Sequence, residues 1–253
     1  MSNFTTWRSL VDGEEIGAIP DSVVHQYITE DFTQTNWPDS EGNSDMDTIS
    51  GLSEDSNAFN GTGGVGGDGT DDHGLSDTMG DFGSQLDGGF AVVFGFSIDN
   101  QADLMATLND DDFTKFFVRT ASGEGATDDR LNFIISDTGN DRIGVNSDTD
   151  ITDGGEYVAI LNKSQGTSAS DMEIYFKPDE DASEVAIDES FGTASNFEFD
   201  MTYFARNLRG DIDSHADATM TDIRWFSSPL DLSEREQVFD QYNWYDPDTD
   251  APS

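Results

Sequence analysis

Two stretches of this chain alternate so strictly between large apolar and small or charged side chains that paired β-strands are the structure able to bury them. Phe90, Val92, Phe94, Phe96 and Ile98 fall on one side of Phe90–Ile98, and Ala91, Val93, Gly95 and Ser97 on the other. In Phe197–Tyr203, Phe197, Phe199, Met201 and Tyr203 point one way and Glu198, Asp200 and Thr202 the other. Strand side chains repeat every second residue, whereas a helix would scatter these groups around its surface. Val23–Ile28, Leu131–Ile135, Tyr157–Leu161 and Met172–Phe176 read as further strands. Clusters of Gly, Asp, Ser and Thr such as Ser136–Asn140 and Asp150–Gly155 read as turns between them. Many short strands separated by such turns predict an all-β fold, an antiparallel two-sheet jelly-roll sandwich.

One helix is expected, near the C-terminus. Ser233-Glu-Arg-Glu236 has the spacing of a capping box, with Val238, Phe239 and Tyr242 on an apolar face and Pro229 just upstream. The sandwich is expected over residues 22–242, preceded by a leader (1–21) that ends at Pro20 and followed by a tail (243–253). Residues 60–72, rich in glycine, read as a loop.

The chain carries 53 acidic and 11 basic side chains, a net charge of −42, and no cysteine. Such a charge by itself suits a disordered chain, but 18 phenylalanines need a core. Carboxylates this dense repel one another at low salt; at molar salt the screening length falls to ~3 Å. The surface is therefore expected to belong to a high-salt environment. Nucleic-acid binding is excluded for want of a basic surface, and a disulfide or cysteine–zinc framework is excluded outright. No apolar run reaches the ~18 residues of a membrane span, so no membrane insertion is expected. The first residues lack the basic and apolar regions of a secretory signal.

The order of several motifs resembles a LamG-type, concanavalin A-like lectin/glucanase domain. Trp37-Pro-Asp-Ser-Glu-Gly-Asn43 is similar to that family's W-P-D-S-S-G-N loop, and Phe90–Ile98 to its central strand. Met172–Asp179 is similar to its hairpin strand, with Lys177-Pro178 in place of an Asp-Gly turn, and Thr221–Tyr242 to its closing strand, loop and helix. Together with the acidic, cysteine-free composition and the opening Trp7-Arg-Ser-Leu-Val-Asp-Gly-Glu14, the chain also resembles structural proteins of tailed viruses of halophilic archaea.

Catalytic signals are weak. Laminarinase-type enzymes of this fold carry E-x-D followed by a further carboxylate on one strand; here Glu198 and Asp200 are followed by Thr202 and Tyr203. His25, His73 and His215 stand far apart in sequence and match no hydrolase motif. No enzymatic activity is expected. Sugar sites need aromatic rings that stack on a pyranose face, and Trp37, Trp244 and Tyr245 are the candidates. Gly63–Asp68 is similar to one calcium-binding repeat, so Asp68, Asp71 and Asp72 are candidate Ca2+ ligands. Trp7, Leu10, Val11, Ile16 and Ile19 are expected to dock the leader onto a neighbouring subunit or partner protein.

The resemblance implies a virion surface protein (tail fibre, turret or decoration subunit) of a haloarchaeal virus. It would form a homo-oligomer beside other virion proteins, assemble in the host cytoplasm, and adhere to host-surface glycan or glycoprotein on the mature particle. A polysaccharide hydrolase of the laminarinase-like class and a halophile cell-surface lectin are the alternatives. One expectation follows from charge alone. The melting temperature should fall as KCl is diluted from molar to millimolar; unchanged melting would mean that the acidic surface serves another purpose.

Overall fold

A computed structural model describes residues 19–42, 44–76, 89–108, 115–120, 129–137, 139–177, 180–181, 183–192, 201–208, 211–242 and 244. In chain order the strands are β1 (Val23–Tyr27), β2 (Met46–Ser50), β3 (Ser53–Asp55), β4 (Gly64–Asp68), β5 (His73–Ser76), β6 (Phe90–Ile98), β7 (Asp103–Leu108), β8 (Lys115–Arg119) and β9 (Arg130–Ser136). They continue as β10 (Arg142–Asp150), β11 (Glu156–Lys163), β12 (Met172–Phe176), β13 (Glu180–Asp181), β14 (Ser183–Asp188), β15 (Thr202–Tyr203), β16 (Arg206–Leu208), β17 (Asp211–Asp213) and β18 (Asp217–Phe226). Helix α1 spans Leu232–Gln241.

Among the described residues these strands form two eight-stranded antiparallel sheets and the small hairpin β16–β17. Sheet I runs β13-β12-β11-β6-β18-β4-β3, with β1 also on β18; sheet II runs β14-β10-β9-β8-β7-β15-β5-β2. The chain is thus an all-β sandwich with one long helix at its C-terminal end. No described helix is long and apolar enough to cross a membrane.

The alternation in Phe90–Ile98 sorts that strand between two cores. Phe90, Val92, Phe94, Phe96 and Ile98 join the main core between the sheets, with Leu104, Phe116, Val118, Phe133, Ile135, Tyr203, Ile223 and Trp225. Ring packing spans the gap: Trp225 of sheet I lies 5.3 Å from Phe116 of sheet II, and Phe90 lies 5.9 Å from Phe133. The Trp225 indole N–H donates to the Tyr203 hydroxyl at 3.1 Å, so even the polar edge of this cluster is satisfied.

Ala91 and Val93 point the other way, into a second core beneath α1 that includes Val158, Ile160, Phe226, Val238, Phe239 and Tyr242. Asp231, rather than Ser233, caps α1: its carboxylate accepts from Glu234 N at 2.9 Å while Glu234 accepts from Asp231 N at 2.9 Å. The capping box therefore starts two residues before the one read from sequence, because Leu232 and Ser233 already form the first turn. At the far end Lys177 Nζ donates to the carbonyls of Phe239 and Tyr242 at 2.8 and 2.7 Å. Lys177, which departs from the family turn, thus serves as a helix cap.

The glycine-rich segment also departs from expectation, since part of it is strand β4, paired with β18 and β3. A Cβ on Gly64 would lie 2.5 Å from Thr219 Cγ2 and 2.7 Å from a Phe59 ring carbon. Glycine is required there by close packing, not by loop mobility.

Candidate ligand-binding face

Side chains directly opposite one another in antiparallel strands point to the same face. On the face of sheet II turned away from the main core, Asp103 (β7), Arg119 (β8), Asn132 (β9), Asn146 (β10) and Glu184 (β14) are successive register partners. They form one polar row across five strands. The neighbouring row on the same face is Leu75, Thr202, Ala106, Phe117, Ile134, Gly144 and Ile187. Ala106, Phe117, Ile134 and Ile187 make an apolar strip separate from both cores. The Arg119 guanidinium lies over the Phe117 ring, 5.4 Å from its centroid, and joins the two rows.

Polar atoms in these rows are left unsatisfied. Asn132 is fully buried; its amide nitrogen donates to the Arg130 carbonyl at 3.1 Å, but its Oδ1 accepts nothing. Thr202 is fully buried and its hydroxyl has no partner. Asp103 is fully buried, neither of its oxygens takes part in a hydrogen bond of ordinary geometry, and Arg206 Nε stands 3.7 Å away. Burial pushes the Asp103 carboxyl above its ordinary value, against the pull of the Ser214 hydroxyl and the Arg119 and Arg206 guanidinium groups.

The other buried acids are held differently. Among the described residues Asp39, Asp72, Asp103 and Asp137 are buried. Asp137 accepts from the backbone of Gly139 and Asp141 at 2.8 and 3.0 Å, and Asp72 accepts from Asp68 N. Asp39 accepts from His25 Nδ1 and Gln26 N, both at 2.8 Å, and from Glu41 N and Ser44 N at 3.0 and 3.1 Å. Burial works to raise the Asp39 pKa, yet those hydrogen bonds and the His25 charge overcome it and hold the carboxyl below its usual range. Asp103 is the exception among the four. Buried polar groups without partners cost stability, so native chains keep few of them. Phe117, Ile134, Asn132, Asp103 and Thr202 are all buried in the folded chain, so their unsatisfied carboxyl, amide and hydroxyl oxygens beside an apolar strip suit an amphipathic, hydroxyl-rich ligand only in a state of the chain that opens this face.

The residues singled out from sequence lie elsewhere. Trp37 is fully buried, donates its indole N–H to the Ile28 carbonyl at 2.7 Å and packs edge-on to Tyr27 and Phe32. It is a core residue and not a stacking platform for sugar. Trp244 is also buried, 4.5 Å from the Phe59 ring and against Gly95, where a Cβ would come within 2.7 Å of the indole. The tail docks on its own domain at that point, so Trp244 offers no free ring. Tyr245 lies outside the described residues.

Asp68, Asp71 and Asp72 do not converge as calcium ligands. The Asp72 carboxylate turns to the Asp68 backbone, Asp68 accepts from Thr70 N at 3.0 Å, and no described group of three or more His, Asp or Glu could hold a metal. Trp7, Leu10, Val11 and Ile16 lie outside the described residues, as do Glu198 and Asp200. Ile19 packs against the core beneath α1, so this one residue of the leader rests on its own domain. Thr202 points away from the main core as expected but is buried rather than solvated.

The rows themselves escaped sequence reading because their members come from different strands with no fixed spacing. The available signal was a polar residue at an outward position inside an otherwise apolar strand, such as Asn132 between Leu131 and Phe133.

No family model and no curated protein matches this chain. Solved structures do. Trypanosoma rangeli sialidase, solved in complex with a difluorinated nononic acid, aligns with a TM-score of 0.63 at 12% identity, covering 89% of this chain and 34% of the sialidase. The binding domain of Paraclostridial Mosquitocidal Protein 1 aligns with a TM-score of 0.63 at 12% identity, covering 88% of this chain and 52% of that one. The binding domain of Botulinum Neurotoxin DC, solved in complex with SialylT, aligns with a TM-score of 0.61 at 13% identity, over 88% and 52% of the two chains. The chain spans about a third of the sialidase and half of each toxin domain. These likenesses establish the sandwich fold. They also correct the expectation of a chain without enzymatic activity: an enzyme chain, the sialidase, contains this fold, so the lack of a hydrolase motif does not take the chain out of the enzyme class.

The two unlike carboxyls give opposite pH behaviour. Asp39, with a lowered pKa, contributes stability present above the ordinary carboxylate value and lost as pH falls through its folded pKa. Asp103, with a raised pKa, favours the fold when protonated, and that contribution is lost as pH rises through its folded pKa. Denaturant titrations should find Asp39→Asn less stable than wild type at neutral pH by about 2 kcal/mol, with the gap closing in acid. Asp103→Asn should be at least as stable as wild type at neutral pH, and lose that advantage in acid. The opposite order at neutral pH would contradict the assignment.

Proposed function

We propose that this chain is a glycan-binding sandwich that takes a saccharide on the outer face of sheet II, whose two rows become accessible when that face opens. The observation that carries the reading is the pairing of two rows on one face: the apolar strip of Phe117 and Ile134 beside the polar row in which Asp103 and Asn132 keep unsatisfied oxygens. A pyranose has the matching form, an apolar ring face edged by hydroxyl donors. Support also comes from a structural relative of the same fold that was solved with a bound SialylT. The LamG-like motif order and the acidic surface support a finer reading, an adhesion subunit on the particle of a haloarchaeal virus that assembles as a homo-oligomer with other virion proteins.

A second reading is favoured by one observation. Asp103 is a buried acid whose pKa burial raises against the pull of nearby guanidinium groups, and a carboxyl shifted upward is the kind that can serve as the acid in hydrolysis of a glycosidic bond. Release of reducing sugar by wild type and not by Asp103→Asn would move the assignment from adhesion to hydrolysis.

The test of binding is an array of defined acidic and neutral glycans probed in molar KCl, followed by calorimetric titration of the glycan that binds best. Asn132→Leu and Asp103→Asn, each folded as judged by melting, should weaken that glycan at least about tenfold, because each removes a polar oxygen of the row beside the apolar strip. Wild-type affinity in both variants would place any binding elsewhere.

A further inference from the structure

Two of the chain's three histidines come together where the sequence gives no hint of it. His73 opens β5 on the outer face of sheet II, and His215 lies between β17 and β18, directly after Ser214, whose φ of 54° turns the backbone. Their ring centroids are 6.0 Å apart and their planes meet at 46°. His73 Nδ1 lies 3.0 Å from the Asp71 carbonyl oxygen, and His215 Nδ1 lies 2.9 Å from the Asp72 carbonyl oxygen. A carbonyl oxygen has no proton to give, so each Nδ1 carries the hydrogen. Each neutral ring then holds its lone pair on Nε2. Donation of the other ring N–H to a carbonyl is how proteins fix the tautomer and aim of a metal-ligating histidine. Both rings are half-buried and so remain within reach of solvent.

We propose that His73 and His215 form a two-imidazole site for a divalent transition metal of the zinc class. With a metal–nitrogen distance of 2.0–2.1 Å, the ion sits about 3.2 Å from each ring centre, and two rings sharing it have centroids up to about 6.4 Å apart. The observed 6.0 Å lies between that linear limit and the roughly 5.2 Å of tetrahedral coordination, so the rings draw slightly closer when the ion binds. No third His, Asp or Glu converges with them among the described residues, so water completes the coordination. Calcium, which takes six to eight oxygens, does not fit a pair of imidazoles. The dense negative charge raises the local cation concentration, and the nitrogen ligands supply the selectivity. The site borders the saccharide face, since Ser214 beside His215 faces Asp103, but neither imidazole belongs to the two rows, so loss of metal binding and loss of glycan binding are read separately.

The experiment titrates the metal-free full chain with Co2+ in molar KCl at neutral pH, read by visible absorption, with Zn2+, Ca2+ and Mg2+ as competitors. Wild type should bind Co2+, yield it to Zn2+ and keep it against Ca2+ and Mg2+; His73→Gln and His215→Gln should each lose at least about tenfold in affinity. Histidine ring nitrogen spectra of the wild type provide a check that needs no variant. Zn2+ should shift the Nε2 signals of His73 and His215 and leave those of His25, which is held by Asp39, unchanged. Unaltered Co2+ affinity in either variant, displacement by Ca2+, or unshifted His73 and His215 signals would overturn the site.

Discussion

Ring packing between the two sheets is the interaction on which the rest of the structure depends. Phe90 and Trp225 from sheet I meet Phe116 and Phe133 from sheet II, and Tyr203 links the cluster to Tyr27 and through it to Trp37. Each buried aromatic contributes about 1.5–3 kcal/mol by leaving water, and pairs of rings add to that. A chain with net charge −42 needs such a term, because its surface opposes compaction wherever salt does not screen it. The aromatic core fixes both sheets, and so fixes which face of each strand is left for other work.

The two outer faces are then used differently. That of sheet I is closed by the chain itself: α1, capped at one end by Asp231 and at the other by Lys177, lies over Val93, Val158 and Ile160, and Trp244 seats on Gly95. That of sheet II carries the paired rows, whose Asp103, Asn132, Phe117 and Ile134 are buried as well. The acids that enter the protein elsewhere, Asp39, Asp72 and Asp137, are all held by backbone N–H groups, whereas Asp103 faces side chains, the Ser214 hydroxyl and the Arg119 and Arg206 guanidinium groups.

How much of this was legible in the sequence follows from the range of each signal. The strand at Phe90–Ile98 and the assignment of its residues to two faces could be read from alternation, since both depend on neighbours in the chain. The core position of Trp225 beside Ile223 could be read for the same reason. Features that depend on distant neighbours could not. β4 is a strand because glycine lets it approach Thr219 and Phe59, and Trp37 is buried because Tyr27 and Phe32 close around it. The polar row is assembled by register across five strands, and the histidine pair by residues far apart in the chain, so neither has a local motif.

The central claim is that the outer face of sheet II carries polar atoms left unsatisfied for a ligand, at a cost in stability. The stability of Thr202→Val in the absence of any glycan tests it most directly, because valine keeps the shape of the side chain and removes only the hydroxyl. The account predicts a denaturation free energy equal to or above that of wild type. A loss of more than about 1 kcal/mol would show that the hydroxyl is already satisfied inside the protein and would contradict it.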